Sequence, residues 1–301
     1  MKKLILLSLF LAAIMTACYD EYKTDYVYTG AYFSYQHPAR TVIMEDDQEN
    51  FEIKVGAVYG GRYSYGGVTE TVNFTIDESL ITDNTEYTDK GIQVMPSSWY
   101  TLSSESEINL VNENVGYVTV TIDREALVSN PEASQNTYAI PFKMTEATTD
   151  SILEGKDYSI VVVKFKNQWD GRYYIKGSDK TLDATGTEIS EMVYSNDALV
   201  LNSYVYLNTT ARDVVTVARI GAQEDGNKYT YQMQVRESDG TGIITAADGS
   251  DITLVAGGSN YDYANNRFIC KYNYTMDGVE HSVTDTLIYS NTEIVLEDWM
   301  D

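Results

Sequence analysis

Histidine, cysteine, proline and positive charge are all scarce in this chain. Its 301 residues include two histidines, two cysteines and four prolines, and 21 basic residues face 45 acidic ones. His37 and His281 stand beside no serine or cysteine in a recognised pattern, which leaves little material for a nucleophile that needs a general base. Two dispersed histidines and one available cysteine also exclude a four-ligand zinc site built without carboxylates. A formal charge of -24 repels phosphate backbones and anionic headgroups, so nucleic acid is not an expected partner and no basic patch can hold the chain at a membrane. Long hydrophobic runs are absent except for Leu4 to Ile14, which is too short to cross a bilayer.

That short run is preceded by Lys2 and Lys3 and followed by Met15-Thr16-Ala17-Cys18. A positive start, a brief apolar segment and a small residue before a cysteine form a lipoprotein export signal, with Cys18 as the acylated mature N-terminus. Several acyl chains anchor for long periods where one anchors only marginally. Removing residues 1–17 takes two lysines, which leaves 284 residues and a formal charge of -26. Tyr19 rather than aspartate follows Cys18, and Asp20-Glu21 resembles the acidic export signal of surface-exposed Bacteroidetes lipoproteins. The expected location is the outer membrane, facing outward, with residues 18–29 as a tether. With Cys18 acylated, Cys270 has no partner for a disulfide, so the core must be sizeable. Cys270 shares a strand face with Phe268, Tyr272 and Tyr274, and a buried thiol is expected there.

Helical periodicity is rare, and short alternating or β-branched runs recur with Gly, Asn and Asp between them, so the chain reads as all-β. Val118, Val120 and Ile122 face one side of a strand while Thr119 and Thr121 face the other. Tyr158 to Lys166 is the strongest strand and reads as the last of its domain, because Asn167-Gln168 interrupts the apolar pattern. The expected domains are an immunoglobulin-like β-sandwich over residues 30–167 and an antiparallel β-barrel or sandwich over 168–301. The second half is expected to be a meander with strands over Leu199 to Leu207, Val214 to Ile220, Tyr229 to Val235, Ile252 to Val255, Phe268 to Tyr274 and Val283 to Tyr289. Asp-Gly turns such as Met276-Asp-Gly278 supply the positive φ that hairpins require. All four prolines precede this half, so its strands are free to pair centrally.

Met95-Pro-Ser-Ser-Trp-Tyr-Thr-Leu-Ser103, Asn136-Thr-Tyr-Ala-Ile-Pro-Phe-Lys-Met144 and the Tyr158 to Asn167 strand resemble the N-terminal module of Bacteroidetes surface lipoproteins. That module is a domain of unknown function which also precedes endo-glycosidase domains. Trp169-Asp-Gly-Arg-Tyr173 and Thr284-Asp-Thr-Leu-Ile288 resemble the smaller, lipocalin-like β-domain that follows it in polysaccharide-utilisation lipoproteins. The resemblance implies an accessory that captures or presents glycans; it supplies no site residues, and no glycosidase domain follows residue 167.

Twenty-six tyrosines and three tryptophans offer ring faces that suit the apolar faces of sugars. Most tyrosines here simply serve strands. The glycine-rich hairpin Tyr59-Gly-Gly-Arg-Tyr-Ser-Tyr-Gly-Gly67 and the segment Asn260-Tyr-Asp-Tyr-Ala-Asn-Asn-Arg267 are the expected ligand-facing loops. The candidate binding residues are therefore Tyr59, Arg62, Tyr63, Tyr65, Tyr261 and Tyr263, whereas Trp99-Tyr100 is expected in the core. Asp150-Ser-Ile152 and Asp285-Thr-Leu287 resemble a Bacteroidetes O-glycosylation motif, with Ser151 the better acceptor. Acidic loops leave calcium open, though none has EF-hand spacing. No cofactor is expected. The expected function is non-catalytic glycan binding at the cell surface, with packing on an outer-membrane transporter or another surface protein as the alternative and glycoside hydrolysis, which needs a facing carboxylate pair, behind both.

Overall fold

Alternation decides which way each strand faces, and the computed structural model, which describes residues 28–292 apart from 36, 38, 47, 49, 62–66 and 227, follows it closely. The described residues are 58% strand and 9% helix, so the all-β expectation holds. The first half contains β1 (Thr29–Phe33), β2 (Ala39–Glu45), β3 (Glu52–Gly61), β4 (Val68–Ile76), β5 (Gln93–Val94), β6 (Tyr100–Leu102), β7 (Glu107–Glu113), β8 (Val115–Ile122), β9 (Tyr138–Ala147), β10 (Ser151–Ile152) and β11 (Tyr158–Lys166). One sheet runs β10-β1-β3-β8-β6 and the other β2-β11-β9-β4-β7, with β5 added beside β9. Val55, Val118, Val120, Ile108, Phe142, Val161 and Val163 form the layer between the two sheets.

The run Ile160 to Val163 is buried on both faces, which explains why it reads as continuous rather than alternating. Val161 and Val163 join the sandwich core, whereas Ile160 and Val162 pack outward under Ile81, Tyr87 and Ile92. Ile81 and Tyr87 come from two single-turn helices, α1 (Ser79–Thr82) and α2 (Thr85–Thr88). Pro141 lies within β9, between two neighbours. Its carbonyl accepts from the Asp77 amide just past the end of β4, and its nitrogen faces the same way, so the missing donor falls beyond the end of β4 rather than in the ladder with β11.

Between Lys166 and Gly171 the chain leaves the sandwich sheets and enters a third sheet. The junction is tied down. Asn167 gives its side-chain amide to the carbonyls of Ala211 and Val214 and accepts from the Trp169 amide, while Asp170 accepts both the amide and the hydroxyl of Thr209 and pairs with Lys166 at 2.7 Å.

The second half contains β12 (Gly171–Leu182), β13 (Glu188–Tyr194), β14 (Tyr204–Ala211), β15 (Val214–Val217), β16 (Tyr231–Val235), β17 (Thr241–Ala246), β18 (Thr253–Asp262), β19 (Arg267–Met276) and β20 (Val279–Asn291). From β14 onward each strand pairs antiparallel with the next, and β20 pairs with β12 to close an eight-stranded barrel. One edge of β12 is shared: Gly171 to Tyr174 pair with β14, and Gly177 to Leu182 pair with β13. The Asp277-Gly278 turn has positive φ at both residues, as the sequence requires.

The barrel is a packed interior, not a cup. Trp169, Tyr173, Leu207, Met233, Phe268, Cys270 and Leu287 fill it, as small eight-stranded barrels allow.

Three strand expectations change. Leu199 to Leu201 form an exposed 3-10 turn, and the strand begins only at Tyr204. Arg219 and Ile220 lie beyond β15 in a buried plug. The ligand loop expected at Asn260 to Arg267 is partly strand, since β18 extends through Asp262.

Candidate functional site

Two adjacent tyrosines on a strand must point to opposite sides. On β12, Tyr173 and Ile175 enter the barrel, so Arg172, Tyr174, Lys176 and Ser178 lie outside. On β14, Val205 and Leu207 are inside and Tyr204 and Tyr206 outside. The registers Tyr174 with Tyr204 and Arg172 with Tyr206 then gather these four residues into one outer patch. Tyr204 is 55% exposed, meets Tyr206 edge to face at 5.6 Å, and carries the Arg172 guanidinium 5.4 Å above its ring. A second Arg172 nitrogen donates to the Ser290 hydroxyl at 3.3 Å.

The patch continues along the barrel wall. Tyr204, Tyr174, Ile288 and Arg267 form one cross-strand row, Lys176, Thr286 and Ile269 the next, and Ser178, Thr284 and Lys271 the third. Beside these rows lies a shallow groove of about 340 Å³, bordered by Lys176, Ser178, Glu191, Ser195, Thr284 and Thr286. Rings at one end and hydroxyls with cations at the other make a surface able to stack a sugar ring and bond its substituents.

The inside of the same strand is of opposite character. Asp285, with 0% exposure, accepts from the hydroxyls of Tyr194 and Tyr272, the latter at 2.7 Å. Asp179 accepts from Tyr274 at 2.8 Å, from the Ala222 amide at 3.1 Å, and faces His281 Nδ1 at 2.9 Å. The Tyr274 and His281 rings are stacked 4.6 Å apart. Gly221 donates its amide to the Tyr272 hydroxyl, and Arg219 lies over the Tyr194 ring at 4.9 Å and pairs with Glu224. The segment between β15 and β16 is thereby pinned across the barrel end. Gly177 and Gly221 make room for it: a Cβ at either position would collide with the carboxylate of Asp285 or Asp179.

Burial pushes the Asp285 carboxyl up to about 6; its tyrosine donors and Arg219 pull it back, and Asp179 adds to the rise. Asp285 is sealed from solvent, which makes this pair an element of the fold rather than a surface for a polysaccharide. Among the described residues no group of three His, Cys, Asp or Glu is placed to hold a metal ion, and no helix is long and apolar enough to cross a membrane.

Among the described residues the structure does not bring the sequence candidates together. Tyr59 lies on β3, half-buried against the sandwich core. Arg62, Tyr63 and Tyr65 fall outside the described residues, as does Cys18. Tyr261 is a correction: at 8% exposure it packs in the barrel interior, 4.6 Å from the Phe268 ring, because its position on β18 has inward parity. Tyr263 is 45% exposed and donates to the Glu237 carbonyl at 2.7 Å. Ser151 sits half-buried on the short strand β10 opposite Gly30, and neighbouring Asp150 accepts from the Thr29 amide and hydroxyl. Trp99 packs against the sandwich core and meets Tyr138 at 4.9 Å. Cys270 is fully buried, and burial raises its thiol well above the usual range. The sequence marks the outer patch only through Tyr204-Val-Tyr206, a strand pattern with valine as the inward residue, and not through a loop composition.

Residues 22–151 match a family model described as "-like, N-terminal domain", in keeping with the resemblance of the first half. A Bacteroides ovatus protein of unknown function superposes with a TM-score of 0.71 at 20% identity, covering 87% of this chain and 94% of its own, and shares the two-domain fold. A proposed carbohydrate-binding protein from the same species reaches a TM-score of 0.35 at 12% identity, over 71% of this chain and 66% of its own. Bacteroides thetaiotamicron EndoBT-3987 with Man5GlcNAc product reaches 0.32 at 16% identity, over 42% of this chain and 28% of its own. At those scores neither carries an argument about this chain. No curated protein matches it.

Proposed function

We propose that this protein is a lipid-anchored surface accessory that binds glycan on the outer wall of its barrel without cleaving it. The observation that carries the reading is the outward cluster of exposed Tyr204 with half-buried Tyr174 and Tyr206 around Arg172, three rings and a guanidinium held by strands on a packed scaffold. Rigid placement of the rings lowers the ordering entropy that binding must overcome. The anchor at Cys18 and the outward orientation rest on the residues of the export signal and on Asp20-Glu21. Affinity electrophoresis of the full chain against a polysaccharide panel tests the reading. Retardation is expected, and Tyr204→Ala with Tyr174→Ala should abolish it while leaving the melting temperature unchanged. Migration unaffected by every glycan refutes the proposal.

A second reading has its own observation. Among the described residues β13 pairs only with β12, its residues Ile189, Met192 and Val193 are exposed, and Val200 in the nearby turn is 74% exposed. An apolar free edge of this kind suits a protein partner such as an outer-membrane transporter. Co-purification from solubilised membranes that is lost in Val193→Lys with Val200→Lys would favour it.

A further inference from the structure

We infer that the glycan taken by the barrel wall is anionic, its rings bearing carboxylate or sulfate groups; this rests on the binding reading above and names its substrate class. The charge pattern of the wall carries the argument. In a chain with more than two acidic residues for each basic one, bases are expected to find carboxylate partners. On this wall Lys180 does, holding Glu188 at 2.7 Å and Glu191 at 3.9 Å, and Arg267 holds Asp262 at 3.1 Å.

Arg172, Lys176 and Lys271 do not form ion pairs among the described residues. Arg172 touches only the Ser290 hydroxyl and the Tyr204 ring among the contacts resolved for its guanidinium, and its Nε is buried without an acceptor. Lys176 borders the groove, whose acid Glu191 is already drawn toward Lys180. Lys271 stands in the same row as Thr284 and Ser178. With about 3.3 Å per residue along a strand and about 4.8 Å between strands, Arg172 and Lys176 are roughly 13 Å apart and Lys176 and Lys271 roughly 12 Å apart at their Cα atoms.

The three cations thus mark out a strip flanked by tyrosines and threonines. A polymer with an acidic group at intervals would satisfy several of them at once, with its ring faces on Tyr174 and Tyr204 and its hydroxyls on Thr284 and Thr286. The wider negative field does not defeat this, because at physiological salt it is screened beyond about 8 Å, whereas contacts at the wall are not. Of the acceptors a glycan can offer the outward side of the Arg172 guanidinium, an anionic oxygen suits it better than a neutral hydroxyl.

Native affinity gels separate the outcomes. The full chain is run at about 0.1 M salt, the ionic strength at which screening extends to about 10 Å, against a neutral mannan, polygalacturonate and chondroitin sulfate. Retardation by polygalacturonate, chondroitin sulfate or both is expected, and the arm that responds identifies carboxylate or sulfate as the recognised group. Lys176→Gln with Lys271→Gln should weaken it by roughly tenfold or more, the scale of a charge-assisted hydrogen bond, with the melting curve unchanged. Binding to mannan that the lysine variants leave intact would overturn the anionic assignment but keep the glycan reading. Retardation by none of the three, together with none across the wider panel, would sink both. Binding to an acidic polymer that survives Tyr204→Ala with Tyr174→Ala and the lysine variants alike would place the ligand elsewhere and overturn this inference.

Discussion

Asp285 makes the stability of the barrel depend on pH in a direction opposite to that of most carboxylates. Its folded carboxyl titrates at about 6, against a usual value of 3.8, and burial is the largest cause. Below pH 4 the group is protonated whether the chain is folded or not, so the native state keeps its full stability there. Between about 4 and 6 the folded state holds more protons than the unfolded one, and stability falls as pH rises. At about 1.36 kcal/mol per pH unit over that interval, the loss amounts to about 3 kcal/mol by pH 7. Asp285→Asn removes the titration and keeps the shape; the amide still accepts from one tyrosine. Urea unfolding of both proteins across pH 4 to 7 isolates the group, because the remaining carboxylates contribute equally to each. The stability of wild type minus variant should drop by about 3 kcal/mol over the range. A flat difference would show that Asp285 is ionised in the folded state from low pH, and that the hydroxyls of Tyr194 and Tyr272 outweigh its burial.

Three further outcomes follow from the same interior. Gly177→Ala places a Cβ against the Thr284 carbonyl and the Asp285 carboxylate, and should destabilise by about 1–3 kcal/mol; thermal melts that match wild type would show the strands can part freely. Asp170→Ala leaves Lys166 without its partner in a setting where both side chains are largely covered, and a loss of about 3–5 kcal/mol is expected in urea. A change below about 1 kcal/mol would place the pair among ordinary surface bridges. The thiol of Cys270 should resist a thiol reagent in the native protein and react only as fast as the barrel opens, so rapid stoichiometric labelling would contradict its burial.

Parity on the strands was readable from sequence wherever a core residue declared the inward face. Phe268, Cys270, Tyr272 and Tyr274 were assigned to one face, and all four are buried in the barrel. The strand from Tyr158 was expected to be the last of its domain, whereas its burial on both faces depends on Ile81 and Tyr87, which lie more than seventy residues earlier and carry no signal of where they fold. β13 went unrecognised because every one of its residues from Glu188 to Val193 is exposed, which removes the polar-apolar alternation that marks a half-buried strand. Tyr261 was misplaced for the converse reason: flanking Asn and Asp residues suggest a turn, yet the hairpin bends four residues later and Tyr261 pairs opposite Phe268.

Part of the outer wall and the sealed Asp179 are products of one strand. Along β12, Tyr173, Ile175, Gly177 and Asp179 face the interior, while Arg172, Tyr174, Lys176 and Ser178 face outward. A single-residue slip of register against β20 would exchange the two sets. Such a slip would bury Lys176 and expel Asp179, so the network of Asp179, Asp285 and their tyrosine and histidine partners holds the outer residues in place as much as it holds the plug. The absent side chain at Gly177 belongs to this control, since a Cβ there would meet the Asp285 carboxylate and the Thr284 carbonyl of β20. The polar interior thereby determines which side chains the barrel presents on its outer wall.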